Sequence, residues 1–154
     1  MALHPNFPKS PHEILDPATR WFPADETLRE QGYEKLLPPL VAELRKKVQE
    51  WRLSGYDGAS DTTKALLRWW FLTEHYIPQS DGETMLFQYY FSQREAVETV
   101  IWLYEVVKAH EKYDLLRYDS SQAVSAGMFD ETWTRYVVKM ATGAGKTKVL
   151  SLIL

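Results

Sequence analysis

Residues 136–154 read YVVKMATGAGKTKVLSLIL, and this stretch carries the strongest prediction of the fold. An apolar, β-branched run at Tyr136, Val137 and Val138 leads into a glycine-bearing segment, and a second apolar run begins at Val149. This order of strand, glycine loop and helix start is the context that a phosphate-binding loop requires. The stretch therefore predicts a bound nucleoside triphosphate, with an ordinary turn between a strand and a helix as the alternative.

Each residue type in the loop suits a triphosphate. Gly143 and Gly145 lack a Cβ and so allow backbone N–H groups to approach the phosphates closely. The start of the following helix adds unpaired N–H donors and a partial positive charge. Lys146 would reach the β- and γ-phosphates, and the Thr147 hydroxyl would contact a magnesium ion held by the nucleotide. We therefore predict ATP and Mg²⁺ as cofactors, bound by Thr142, Gly143, Ala144, Gly145, Lys146 and Thr147.

A second motif lies upstream, in residues 91–97, which read FSQREAV. Ser92 followed by Glu95 is typical of a capping box and predicts a helix that begins at Ser92. Gln93 would then lie in the first turn, where its amide can both donate to and accept from an adenine edge and so select ATP over GTP. The alternative is an exposed glutamine in a capped helix. For Arg94 a nucleotide and a neighbouring acid remain equal alternatives.

Composition excludes several kinds of protein. The 154 residues carry 18 Lys and Arg against 21 Asp and Glu, so no overall basic charge favours nucleic acid. The absence of cysteine rules out disulfides and thiolate metal sites and is consistent with the cytoplasm. No apolar run approaches the ~18 residues of a membrane span, so we expect no membrane partner. Aromatic residues make up 14% of the chain, which fits either a packed core or a covered interface.

Three regions follow from the patterns of proline and apolar residues. Residues 1–34 contain repeated prolines and predict an extended arm, and residues 35–112 predict a helical region. Residues 113–154 predict a linker, the first strand at 133–139 and the phosphate loop. Within the helical region we expect one helix that Gly55 ends and a second at 62–75, capped by Asp61 and apolar on most sides.

The rest of the helical region is expected to contain a short strand and a third helix. The β-prone residues 85–91 predict either this strand or an extended lead-in to the helix. The third helix would run from Ser92 to about residue 112, with one buried stripe at helical spacing. That stripe comprises Ala96, Val97, Val100, Ile101, Tyr104 and Val107.

With both motifs placed, the chain resembles a known group of proteins. Residues 91–106 (FSQREAVETVIWLYEV) and 135–152 (RYVVKMATGAGKTKVLSL) resemble the N-terminal end of superfamily 2 DEAD/DEAH-type helicase proteins. They are most similar to the restriction (Res) subunit of type III restriction endonucleases. Met140 stands where the usual loop has its first glycine, and residues 141–147 (ATGAGKT) resemble motif I of this superfamily. The resemblance implies an ATP-dependent DNA translocase, with double-stranded DNA and a modification methyltransferase subunit as partners.

The same resemblance implies a truncated α/β P-loop NTPase. In the family, the acid that holds magnesium and the arginine finger follow motif I, where this sequence has no further residues. We therefore expect a mostly helical N-terminal region followed by the first strand, the phosphate-binding loop and the start of the next helix, without hydrolytic activity of its own. One alternative is a helical binding module with a vestigial P-loop. Another is a different P-loop class such as a kinase, which the upstream Gln93 helix disfavours.

Overall fold

Four helices and one hairpin form the part of the chain that the structure, a computed structural model, describes: residues 40–111, 113–119 and 135–154. Helices α1 and α2 are followed by strands β1 and β2, and helices α3 and α4 come after them. The bounds are Val41–Leu53 (α1), Asp61–Leu72 (α2), His75–Pro78 (β1), Thr84–Phe87 (β2), Phe91–Ile101 (α3) and Lys146–Ile153 (α4). A π-helical turn, Trp102–Val106, continues α3, and a 3-10 turn spans Asp114–Tyr118. The predicted arm of residues 1–34 lies outside the described ranges.

Helix α3 lies at the centre, because it packs against both α1 and α4. Its Val97 is fully buried, as is Val48 of α1. Val149, in the first turns of α4, is also buried in this core. Burying an apolar side chain of this size contributes about 1.5–3 kcal/mol, so Val149 anchors the helix that follows the glycine loop. The core thus places the loop beside the start of α3.

Helix α1 ends as the sequence predicted, whereas α2 and α3 begin earlier than predicted. Gly55 follows α1 in a left-handed conformation, with φ +76°. The cap of α2 is Ser60 and not Asp61, since the Ser60 hydroxyl accepts from the Thr63 N–H at 3.2 Å. The cap position of α3 is Tyr90 and not Ser92. Here Gln93, three residues after Tyr90, takes the role that the prediction gave to Glu95.

The predicted buried stripe of the third helix is only partly correct. Ala96 and Val97 are buried, but Tyr104 is exposed, and Trp102 and Leu103 are buried in its place. The reason is the π-helical turn, in which each N–H bonds five residues back and the helical periodicity shifts. A prediction based on 3.6 residues per turn cannot follow that shift. The helix also ends at Val106, before the predicted residue 112.

Helix α2 is less covered than its composition predicted. Leu67 is fully buried, but Trp69 is 57% exposed and Leu72 63% exposed. The prediction that α2 is covered on most sides is therefore wrong for the described part of the molecule. The helix has one face on the core and leaves the other largely to solvent, although the rings of Trp69 and His75 make an edge contact.

The hairpin confirms one short strand and adds another. Strand β2 includes the first three of the predicted residues 85–91 and begins one residue earlier, at Thr84. Its partner β1 was not predicted, since its first residue, His75, was assigned to the second helix. The two strands are antiparallel, with Tyr76 opposite Leu86 and Ile77 opposite Met85.

The strand predicted at residues 133–139 is not a strand over its described part, residues 135–139. Val137 is 81% exposed there. A parallel strand needs neighbouring strands and covering helices, and the sheet within the described ranges is the β1–β2 hairpin alone. Whether the chain is part of an α/β P-loop domain therefore stays a prediction.

Candidate functional site

The glycine loop, residues 141–145, forms a tight turn directly before α4. The Ala144 N–H bonds to the Ala141 carbonyl at 3.3 Å. Gly143 and Gly145 both have left-handed backbones, with φ +79° and +74°. For other residue types this conformation costs about 1–2 kcal/mol, so glycine is the residue that the turn requires at both positions. Both left-handed positions are those that the sequence singled out.

The start of α4 provides backbone donors at the end of the loop. Gly145 is the cap position, and its carbonyl accepts from Lys148 and Val149 at 3.0 and 3.4 Å. The first N–H groups of a helix have no carbonyl partner within the helix, and they carry the positive end of its dipole. No side chain caps this end of α4. The arrangement is one that attracts an anion.

Lys146 lies across the loop. Its ammonium group donates to the Ala141 carbonyl at 3.2 Å, and its side chain is otherwise exposed. Thr142 and Thr147 are exposed on either side of the two glycines. An exposed lysine held by a single neutral hydrogen bond can exchange that bond for a charged ligand oxygen, which forms a stronger bond.

Gln93 contacts the loop, although Ala144 lies 51 residues later in the sequence. Its Nε2 donates to the Ala144 carbonyl at 3.2 Å, and its Oε1 accepts from the Tyr90 N–H at 2.9 Å. The side chain is 6% exposed. A Cβ built on Gly145 would lie 2.2 Å from Gln93 Nε2, so any larger residue at this position would have to displace the Gln93 amide.

The structure therefore brings together most of the predicted site residues. Gln93 lies against Ala144 and Gly145, and Lys146 closes over the same loop. The alternative of an exposed glutamine is wrong, because the Gln93 amide is buried and two backbone groups of the protein bind it. One Nε2 hydrogen and one lone pair of the amide are not used by these two bonds.

A buried ionic cluster behind Gln93 was not predicted. It consists of Arg52 from α1, Tyr56 from the turn after α1, and Arg94 and Glu98 from α3. Arg94 donates to Glu98 at 2.8 Å, which settles its partner as an acid on the same helix. The spacing of four residues between Arg94 and Glu98 was a usable signal. Nothing local indicated the part played by Arg52, which is 46 residues from Glu98.

The phenol of Tyr56 gives this cluster a measurable pH dependence. Burial raises the pKa of Tyr56 to about 12, and the Glu98 carboxylate contributes to the increase. An unfolded tyrosine has a pKa of about 10. Above that pH the unfolded chain loses this proton before the folded chain does, so rising pH favours unfolding.

We expect the Tyr56 contribution to stability to be complete below pH ~10 and to be lost as the pH rises through about 12, by about 2–3 kcal/mol in total. Urea denaturation at several alkaline pH values measures the free energy of unfolding. In the Tyr56→Phe variant the free energy of unfolding should fall less steeply with pH, because the contribution of Tyr56 is gone. It should still fall to some extent, because the other tyrosines remain. Parallel slopes in the two proteins would contradict the assignment.

An apolar groove lies between α3, α4 and the segment that precedes the glycine loop. Its volume is about 410 Å³, and its lining is apolar except for Lys146. Val100 of α3 and Leu150 of α4 form two of its walls, with Tyr136, Val138, Met140, Val149 and Ile153 completing them. On the hairpin side, the Lys148 ammonium lies 5.9 Å from the centre of the Phe87 ring and 5.8 Å from that of Tyr89.

Neither a metal-binding cluster nor a membrane-spanning helix occurs among the described residues. No three His, Asp or Glu side chains in these ranges are grouped so as to hold a metal ion. None of the described helices combines the length and apolar character needed to cross a membrane.

The chain was also compared with known proteins. No family model, no curated protein and no solved structure matches it. What the chain binds is therefore inferred from its own residues and their geometry.

Proposed function

We propose that the chain binds MgATP and is the nucleotide-binding N-terminal part of an ATP-dependent DNA translocase, similar to the restriction subunit of type III restriction systems. The observation that carries the proposal is the contact between Gln93 and the glycine loop. Two motifs that sequence alone could only place in order lie within hydrogen-bonding distance of each other. An adenine reader and a phosphate loop must be neighbours to hold one nucleotide.

Each loop element has a role in this proposal. The N–H groups at Gly143 and Gly145 and at the start of α4 bind phosphate oxygens, and Lys146 leaves the Ala141 carbonyl for the β- and γ-phosphates. Thr147 contacts the magnesium ion that the phosphates carry. Gln93 meets the adenine edge through the part of its amide that the protein does not use. Double-stranded DNA and a methyltransferase subunit are proposed as partners of the complete enzyme. In this proposal Gln93 and the loop residues bind the nucleotide, and other residues hydrolyse it.

A test of the phosphate role replaces Lys146 with alanine. Losing a charge-assisted bond to phosphate costs about 1.5–3 kcal/mol, so we expect affinity for MgATP to fall about 10–100-fold. The free energy of unfolding should stay within about 0.5 kcal/mol of wild type, because the side chain is exposed. NMR titration of the full chain with MgATP measures the first quantity and urea denaturation the second.

Lys139→Ala is the matched control, since it removes the same charge from an exposed side chain seven positions earlier in the chain. It should bind MgATP like wild type. Equal affinities of wild type and Lys146→Ala, or no saturable binding by wild type, would overturn the proposal.

A second candidate function is a protein-binding module with a vestigial P-loop. The exposed apolar side chains of α2 and the hairpin favour it, among them Trp69, Leu72, Tyr76, Ile77 and Met85. Exposed apolar side chains in this number are typical of an interface. Normal MgATP affinity in a variant carrying Trp69→Ser and Leu72→Ser would show that this surface is separate from the nucleotide site.

A further inference from the structure

Glu98 is the centre of the buried cluster behind the candidate site. Its side chain has no solvent exposure, and both of its oxygens accept hydrogen bonds. Oε2 accepts from both Nε and Nη2 of Arg52, the first at 2.7 Å. Oε1 accepts from Arg94 Nε at 2.8 Å and from the Tyr56 hydroxyl at 2.7 Å. Arg94 Nη2 also donates to the Tyr56 oxygen at 2.9 Å, which closes the network.

The charges of this cluster make Glu98 difficult to replace. Two buried guanidinium groups share its single carboxylate, so removing the carboxylate leaves both without their anionic partner. Burial disfavours the charged form of Arg94, but the attraction of Glu98 outweighs it and the pKa of Arg94 is raised. Both guanidinium groups also lie over aromatic rings, Arg52 over Phe91 and Arg94 over Phe71. Each guanidinium group is thus held both by its bonds to Glu98 and by an aromatic ring.

The cluster is connected to the candidate site through one peptide bond. Arg94 directly follows Gln93, and both lie in the first turns of α3. Arg52 and Tyr56 donate to Glu98, and Arg94 donates to Tyr56, so these bonds join this end of α3 to α1 and to the turn after it. At the same end of α3, the Gln93 amide lies between the Tyr90 N–H and the Ala144 carbonyl.

We propose that Glu98, with Arg52 and Tyr56, is a positioning residue that fixes the rotation of the first turn of α3 and so holds the Gln93 amide against the glycine loop in the orientation that reads the base. The base-reading half of this inference rests on the proposed nucleotide function, whereas the positioning half does not. Helix α3 offers a matched control, because Glu95 also bonds to α1, through Arg45 at 3.3 Å, on the partly exposed side of the same pair of helices.

The experiment compares wild type with Glu98→Gln, Tyr56→Phe and Glu95→Gln in the full chain. Glutamine keeps the shape of Glu98 but presents NH₂ where a carboxylate oxygen was, so one arginine meets a donor in place of an acceptor. Tyr56→Phe is the milder change, since it removes one hydroxyl from the network. Urea denaturation first establishes that each variant is folded at the temperature of measurement.

The first readout needs no nucleotide. The side-chain NH₂ signals of Gln93, assigned by their absence in Gln93→Ala, report its contact with the loop in ¹H–¹⁵N NMR. We expect these signals and the Gly145 amide signal to shift in Glu98→Gln and in Tyr56→Phe, and to stay in place in Glu95→Gln. Unchanged Gln93 signals in folded Glu98→Gln and Tyr56→Phe would overturn the positioning role.

The second readout is the ratio of the affinities for MgATP and MgGTP, with magnesium triphosphate measured beside them. We expect the ratio to fall about fivefold in Glu98→Gln, the size of one lost hydrogen bond, with triphosphate affinity unchanged. A wild-type ratio in Glu98→Gln would overturn the base-reading half. Absence of nucleotide binding by wild type would instead overturn the proposed function, and the NMR readout would still decide the positioning role.

Discussion

Replacing Glu98 with alanine should lower the free energy of unfolding by about 3–5 kcal/mol, the usual cost of removing one partner from a buried ion pair. The cost arises because the Arg52 and Arg94 guanidinium groups, both buried, would lose their shared carboxylate. A total stability of about 5–15 kcal/mol is typical of a domain, so this one change removes a large part of it. Urea denaturation followed by circular dichroism measures the effect.

The contrasting variant is Glu95→Ala. Glu95 bonds to Arg45 across the same two helices, but both side chains are partly exposed. An ion pair in contact with water contributes about 0–1 kcal/mol, so this variant should remain close to wild type. Similar losses in the two variants would show that burial is not what gives Glu98 its importance.

Replacing Gly145 with alanine should disturb the glycine loop more than the same change at Gly143. Both glycines are left-handed, which costs another residue about 1–2 kcal/mol. At Gly143 a new Cβ meets nothing within 4 Å, whereas at Gly145 it would lie 2.2 Å from Gln93 Nε2. Gln93 is buried and held by two hydrogen bonds, so it cannot move aside without breaking the bond to Ala144.

We therefore expect Gly145→Ala to cost about 1 kcal/mol more than Gly143→Ala, the value of one lost internal hydrogen bond. Its MgATP affinity should fall further as well, because the loop and the base reader are displaced together. A double-mutant cycle with Gln93→Ala tests the cause, since shortening Gln93 removes the clash but leaves the backbone strain. If the effects of Gly145→Ala and Gln93→Ala are additive, the contact with Gln93 is not the reason why Gly145→Ala costs more than Gly143→Ala.

Local features of the site could be predicted from the sequence because short-range chemistry determines them. Gly143 and Gly145 adopt the left-handed backbones for which glycine is the usual residue, and α4 begins directly after them. Gln93 was placed correctly in the first turn of a helix. The reciprocal capping role that Gln93 plays was predicted for Glu95. Both residue types suit this role, and only the register of the helix decides between them.

Other features depended on interactions that local patterns do not record. The π-helical turn at Trp102–Val106 moved Tyr104 to the surface and turned Leu103 inward, which no periodic template anticipates. The predicted strand at 133–139 was inferred from β-branched residues, yet a strand forms only where a neighbouring strand supplies its hydrogen bonds. For residues 135–139 no such pairing is present within the described ranges.

The glycine turn, the helix after it, and a glutamine at the start of an upstream helix could all be predicted from the sequence, because backbone geometry and capping act over a few residues. The bond from Gln93 to Ala144 depends instead on tertiary packing, as does the arrangement in which Arg52 and Tyr56 join Arg94 on a single buried carboxylate. Apart from Arg94 and Glu98, which are four residues apart, those partners lie 38 to 51 residues apart in the chain. Their meeting depends on the packing of α3 between α1 and α4, which brings distant polar groups into a core where each must find a partner.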